Sequence, residues 1–272
     1  MKVLLTGGTG FIGKAVLSRL DRKHEISIFG RTKPEPKYEF VKGDLRNLEA
    51  VIRATNNIEA IIHLGAVLVD KDPVETMEIN TMGTFNLLEA AVKNNVKRFV
   101  FASSVQAMGD AVYLPINEDH PCKPKNIYGL SKLMGEELCS FYSRLYNLST
   151  ISLRIGGVLD WKDLSKKPGD WPEILWSCVD VRDVTHGIDL SLDVEVTKNE
   201  ILFITAADQF SAESIPILVK KHFPRVKISK DFLSRERASF FDISKARKVL
   251  GYQPKYDYHT YIELQKKGIA HE

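Results

Sequence analysis

The sequence predicts an α/β fold built on a parallel, doubly wound sheet. Three observations predict it. Strand and helix signals alternate through the first half of the 272 residues. The strand signals are short, unbroken apolar runs, as expected where both faces of a sheet are covered. A glycine-rich turn joins the first strand signal to the first helix signal. Right-handed crossovers then carry successive strands across one sheet.

Residues 3–6 read as a buried strand. Residues 11–20 read as a helix, with Phe11, Ile12, Val16, Leu17 and Leu20 on one side. Strands follow at 25–29 and 39–41, separated by a loop holding Pro34 and Pro36. A helix at 48–54 precedes a continuous apolar strand at 60–64. A long helix at 74–93, a strand at 98–102, a second long helix at 127–146 and a strand at 150–155 complete this half. Beyond it, 156–177 carries Pro168, Gly169 and Pro172 and all three tryptophans, Trp161, Trp171 and Trp176, and reads as a loop-rich insert. A helix at 182–192, a strand at 201–205, a helix at 212–221 and a short helix at 244–250, stopped by Gly251, follow. The expected organisation is a dinucleotide-binding domain over 1–155 and a small C-terminal substrate-binding lobe over 156–272, partly interleaved with the first.

Composition narrows the class of partner. A formal net charge of +3 on a chain this long gives no reason to expect nucleic acid or an anionic membrane. No apolar run approaches the roughly 18 residues of a membrane span, and the N-terminus lacks the pattern of a secretory leader. Cys122, Cys139 and Cys178 are odd in number and lack C-x-x-C spacing, so reduced thiols in a cytoplasmic protein are expected, with no metal site. The expected partner is a small-molecule substrate.

The turn Thr6-Gly7-Gly8-Thr9-Gly10-Phe11-Ile12-Gly13 carries the first chemistry. Gly7, Gly10 and Gly13 fall where a chain leaving a strand must turn, pass close to a pyrophosphate and start a helix. The helix start offers free N–H groups and a positive dipole end. A tight turn without a ligand is the plainer alternative. The second strand ends Ile28-Phe29-Gly30-Arg31, with no carboxylate for the adenosine ribose. The Arg31 guanidinium can pair with a 2′-phosphate, so NADP is expected over NAD; otherwise Arg31 is a solvated loop charge.

Six further segments follow in order: Gly43-Asp44-Leu45, His63-Leu64-Gly65-Ala66, Asn80 with Gly83-Thr84 and Asn86, Ser103-Ser104, Tyr128-x-x-x-Lys132, and Val179-Asp180-Val181-Arg182-Asp183-Val184. With the glycine turn they resemble the extended short-chain dehydrogenase/reductase family, also called the NAD-dependent epimerase/dehydratase family, whose fold is of the Rossmann type. Phe241-Asp242-Ile243-Ser244-Lys245-Ala246, followed by Leu250-Gly251-Tyr252, is similar to its C-terminal segment. The resemblance implies that Asp44 and Leu45 border the adenine, that Gly65 and Ala66 lie along the cofactor with Phe11, Ile12 and Ser103, and that Asn80 supports the cofactor site. His63 reads as a hydrogen-bonded core histidine, and Asp183 as a helix cap.

The resemblance also implies a catalytic group of Ser104, Tyr128 and Lys132. Tyr128 and Lys132 are four apart on a helix and share a face. A nearby ammonium favours the phenolate, so Tyr128 can exchange a proton with a substrate alcohol or carbonyl that Ser104 orients. Val105-Gln106 after Ser104 cannot supply the acid and base of a dehydratase. Leu153-Arg154-Ile155-Gly156-Gly157 lacks the proline and asparagine common in sugar-nucleotide enzymes, and the insert after it is short. The expected reaction is dehydrogenation or reduction of a small sugar, sugar acid or polyol. An epimerase that retains its cofactor is the alternative, and a cofactor-sensing protein without turnover is a third.

The stripe Ile127, Leu130, Met134, Leu138, Phe141 and Leu145 points away from Tyr128 and Lys132. The 74–93 helix is similarly two-sided. A homodimer is expected, in which these two helices from each subunit pack as a four-helix bundle; cover by the C-terminal half is the other possibility.

Overall fold

The computed structural model describes residues 1–68, 72–160, 177–195 and 198–266. Strand β1 (Lys2–Thr6) leads into helix α1 (Phe11–Leu20), and β2 (Glu25–Gly30) into β3 (Glu39–Lys42), α2 (Leu48–Ala54) and β4 (Ala60–His63). Helix α3 (Pro73–Thr76) continues through a π-helical turn, Met77–Met82, into α4 (Gly83–Lys93). Strand β5 (Arg98–Ser104), a 3-10 turn at Val105–Ala107 and the two-residue β6 (Tyr113–Leu114) precede the long helix α5 (Ile127–Tyr146). Then come β7 (Ser149–Ile155), β8 (Val158–Leu159), β9 (Val179–Asp180), α6 (Val181–Asp193) and β10 (Glu200–Ile204). The chain closes with α7 (Ile215–His222), β11 (Lys227–Ile228), α8 (Lys230–Leu233), α9 (Ser244–Leu250) and α10 (Tyr258–Lys266).

Seven strands form one parallel sheet in the order β10-β7-β5-β4-β1-β2-β3. The strand order reverses between β1 and β4, so a crevice opens beyond their carboxyl ends. Registers keep those ends level: Thr6 pairs with Phe29 on one side and His63 on the other, and Ser104 with Ile155. Loops that carry site residues are thereby gathered along one edge.

Alternation along the strands splits the core in two. Val3, Leu5 and Ile28 face α1 and α6; Leu4, Phe29, Ile61 and Phe99 face α2, α4 and α5. The C-terminal half adds Ile215, Phe232, Phe240 and Tyr252 to the first of these clusters, and β10 extends the sheet itself.

Three expectations need correction. A helix from 212 would put Pro216 in its interior, against the carbonyl of residue 212; α7 instead starts at Ile215, with the proline in its first turn. The 74–93 segment is not a uniform α-helix. Its π turn inserts about one residue, rotating the faces on either side by roughly 100°, so Val74 is exposed while Leu87, Leu88 and Ala90 are buried. Asp180, not Asp183, caps α6, accepting from the Arg182 N–H at 2.8 Å. Asp183 accepts from the backbone N–H groups of Lys255 and Tyr256 at 3.0–3.1 Å and so ties down the C-terminal segment. Trp161, Trp171 and Trp176 lie outside the described residues.

Candidate active site

A cavity of about 610 Å³ runs along the carboxyl edge of the sheet. Its wall includes Gly7, Gly10, Phe11, Ile12, Gly13, Arg31, Asp44, Leu45, Gly65, Ala66, Ser103, Ser104, Tyr128 and Lys132. Asn80 stands behind the wall rather than in it. Its Oδ1 accepts from the Val67 N–H at 2.8 Å, and its Nδ2 donates to the Val67 carbonyl and to Ser131 Oγ at 3.0 Å each. Val67 itself lines the cavity, so Asn80 holds the loop after β4 against α5.

The glycine turn fits a dinucleotide. Gly7 has φ +72°, and a Cβ there would lie 2.8 Å from the Gly65 nitrogen. A Cβ on Gly13 would lie 2.2 Å from the Gly7 carbonyl oxygen. Gly10 precedes α1 with no side-chain cap, which leaves first-turn N–H groups for an anion. At the far end, Asp44 accepts from the Arg46 backbone N–H and from both Nε and a terminal nitrogen of its guanidinium at 2.8–3.0 Å. That pairing holds its carboxyl down to about 2. Arg31 is exposed at the cavity rim.

A hydrogen-bond chain under the turn fixes the loop after β4. The Thr84 hydroxyl donates to the Asn80 carbonyl at 2.5 Å, so it must accept from His63 Nε2 at 3.0 Å. His63 Nδ1 is then an acceptor, and the Thr6 hydroxyl donates a hydrogen bond to it at 2.7 Å. Thr6 Oγ1 in turn accepts from the Gly65 N–H at 3.0 Å. Burial, together with the Lys132 charge, pushes His63 down to about 3, so the ring is neutral. It is the hydrogen-bonded core histidine the sequence suggests.

The end of β5 is tied to α5 at three successive residues. The Ala102 carbonyl accepts from Lys132 Nζ at 2.7 Å. Ser103 Oγ donates to Glu136 Oε1 at 2.5 Å. Ser104 stands beside Tyr128 and favours its phenolate, against the larger effect of burial. Residues 128, 132 and 136 are one turn apart, so a single helix face meets a single strand end. Burial pushes the Tyr128 hydroxyl up to about 12 and the Lys132 ammonium down to about 8, the second opposed by the Glu136 charge. Arg154 from β7 closes the group, donating to Glu136 from Nε at 2.9 Å and from a terminal nitrogen at 2.7 Å.

Sequence reasoning missed Glu136, Arg154, Thr6 and Thr84. Glu136 continues the Tyr128–Lys132 spacing by four more residues, which was the available signal. Its partner lies on another element and leaves no local trace.

A family model described as NAD dependent epimerase/dehydratase matches residues 3–159. A putative UDP-glucose 4-epimerase of Methanocaldococcus jannaschii is 36% identical over 169 residues, 57% of this chain and 55% of that protein. A uronate dehydrogenase of Pseudomonas putida is 36% identical over 163 residues, 57% of this chain and 60% of that protein. The chain thus spans less than two thirds of the length of these curated relatives. Among solved structures, a mutated uronate dehydrogenase superposes with a TM-score of 0.75 at 25% identity, covering 100% of this chain and 87% of that one. With the family model matching more than half of its residues, this chain belongs to the NAD-dependent epimerase/dehydratase family, the extended short-chain dehydrogenase/reductases.

Proposed function

We propose that the protein is an NAD(P)-dependent oxidoreductase that interconverts a secondary alcohol and a ketone on a small sugar-like substrate. The observation that carries this is that Ser104, Tyr128 and the buried Lys132 line one cavity whose other end is the glycine turn. The dinucleotide, when bound, supplies hydride transfer at its nicotinamide. Ser104 orients the substrate oxygen. Tyr128 exchanges the proton at that oxygen, and the Lys132 ammonium stabilises its phenolate. The Lys132 bond to the Ala102 carbonyl holds that ammonium in place. Residues 1–155 are assigned to cofactor binding and 156–272 to the substrate lobe.

Two observations support a dehydrogenase of a small substrate. Val105-Gln106 offers no acid–base pair for dehydration. The 36% identity to the Pseudomonas putida uronate dehydrogenase supports it as well. The second reading is an epimerase with retained cofactor, favoured by the 36% identity to the putative Methanocaldococcus epimerase. Arg31 at the end of β2 supports NADP over NAD, and the family description, NAD dependent, supports the reverse. The three unpaired thiols fit a reducing cytoplasm. On α5, Leu130, Met134, Phe141 and Leu145 remain exposed, which supports a two-fold dimer through α4 and α5.

Denaturing freshly purified protein and quantifying released dinucleotide separates the two reactions. An empty site that binds NADP or NAD reversibly, with net reduction in the presence of glucuronate, supports the dehydrogenase. Near-stoichiometric retained cofactor, with turnover of UDP-glucose, selects the epimerase. Absence of dinucleotide binding overturns both.

A further inference from the structure

The 3-10 turn after Ser104 is bonded to the start of α5, and the polarity of that contact is determined. Asn126 caps α5: its Oδ1 accepts from the Gly129 N–H at 2.7 Å. A backbone N–H can only donate, so the Asn126 amide cannot be turned round. Its Nδ2 therefore faces Gln106 and donates to Gln106 Oε1 at 2.9 Å. That fixes the second amide as well. Gln106 spends its acceptor on Asn126 and keeps Nε2, a donor, for the cavity it lines. Among the described residues, nothing accepts from that nitrogen. The packing is close: a Cβ on Gly129 would lie 2.4 Å from the Gln106 carbonyl oxygen.

The rest of this end of the cavity has the same character. Ser104 and Tyr128 present hydroxyls and Lys132 an ammonium. The carboxylate among the described lining residues is Asp44, beyond β3. Four strand spacings separate β5 from β3 in the sheet order, or about 19 Å. Arg46 engages it there. Among the described residues the reacting end therefore offers donors and no carboxylate, which suits a substrate rich in acceptor oxygens and disfavours an aminated one.

We propose that Gln106 is a specificity-determining residue, held as a hydrogen-bond donor by Asn126, and that it selects a polyhydroxy acid by donating to an acceptor oxygen near the carbon oxidised. Asn126 is a positioning residue that acts through Gln106. The proposal rests on the dehydrogenase reading above and narrows its substrate class.

The test measures glucuronate binding to the NADH-loaded protein by calorimetry. Asn126→Asp keeps the helix cap, because a carboxylate also accepts from the Gly129 N–H. It can no longer donate, so the Gln106 amide turns over and presents its oxygen to the cavity. Asn126→Asp and Gln106→Leu are each expected to weaken glucuronate binding about tenfold or more, with NADH affinity and thermal stability retained. The double variant is expected to bind no more weakly than Gln106→Leu alone. Wild-type affinity in Asn126→Asp overturns the proposal, as do additive effects of the two substitutions. So does wild-type protein that binds NADH and takes up no glucuronate. Failure to bind NADH at all refutes the dehydrogenase reading instead, which separates the two failures.

Discussion

Replacing Glu136 with glutamine keeps the side chain's shape and removes its charge. In the folded protein Glu136 is 1% exposed and Arg154 is 3% exposed, so the guanidinium has no water to fall back on. Its other contacts are the Glu118 carbonyl at 3.4 Å, Cys122 Sγ at 3.2 Å and the face of Phe203, 5.6 Å away, none of which replaces a carboxylate. Glutamine also sets an N–H donor against the arginine's donors. Removing one partner of such a buried pair costs about 3–5 kcal/mol. That is a third or more of the total stability of many domains, which is about 5–15 kcal/mol. At roughly 2–4 °C per kcal/mol for a chain near this size, the melting temperature should fall by roughly 6–20 °C. Urea unfolding of Glu136→Gln alone, and of the closed cycle Glu136→Leu, Arg154→Met and Glu136→Leu/Arg154→Met, gives the single loss and the coupling directly. The double variant should recover most of the loss, short of about 1 kcal/mol for the Ser103 hydroxyl left without its acceptor. A single-variant loss under about 1 kcal/mol, or a double variant as unstable as the sum of the singles, would refute the argument that an uncompensated charge dominates.

Three other outcomes follow from the same geometry. Tyr128→Phe should lower turnover by roughly 10²–10⁴-fold while the dinucleotide dissociation constant stays within about twofold; retained turnover removes Tyr128 from the acid–base role. Asp183 is pushed up by burial from an ordinary 3.8 to about 6. Its protonated form is therefore favoured by folding, a contribution complete below pH 4 and lost as pH rises through about 6. Relative to Asp183→Asn, wild type should lose on the order of 3 kcal/mol across that window, and a pH-independent difference between the two in urea unfolding would contradict it. Phe141→Glu places a charge on the exposed stripe of α5, where Phe141 is 43% exposed. Wild type should sediment as a dimer at micromolar concentration and this variant as a monomer; a wild-type monomer rejects the four-helix interface.

What the sequence made legible is what short spacing encodes. The glycine turn needs only the order of eight residues, because Gly7 and Gly13 are required by contacts made within the turn and with the neighbouring strand. The face of α5 shared by Tyr128 and Lys132 follows from a separation of four, and the exposed stripe opposite follows from the same helical angle. Less was legible where the cause is distant. The π turn after α3 leaves no signal in Met77–Met82, yet it shifts the buried face of everything after it. The pairs β6–β11 and β8–β9 are two residues long, too short for any periodicity. Glu136 and Arg154 look like ordinary surface charges until α5 and β7 are packed together.

The buried charges and the catalytic group share one construction. Ala102, Ser103 and Ser104 are consecutive, and they meet Lys132, Glu136 and Tyr128, which are consecutive turns of one helix. A shift of α5 along β5 would therefore break all three contacts together. Glu136 bears on the chemistry in a second way. Its charge opposes the desolvation that pushes Lys132 down to about 8, and Arg154 keeps that charge from being an uncompensated burden in the core. A lysine that lost its proton near neutral pH could not stabilise a tyrosine phenolate. On this argument Glu136→Gln should do more than destabilise. It should also move the alkaline limb of the pH–rate profile to lower pH, which a purely structural loss would leave in place.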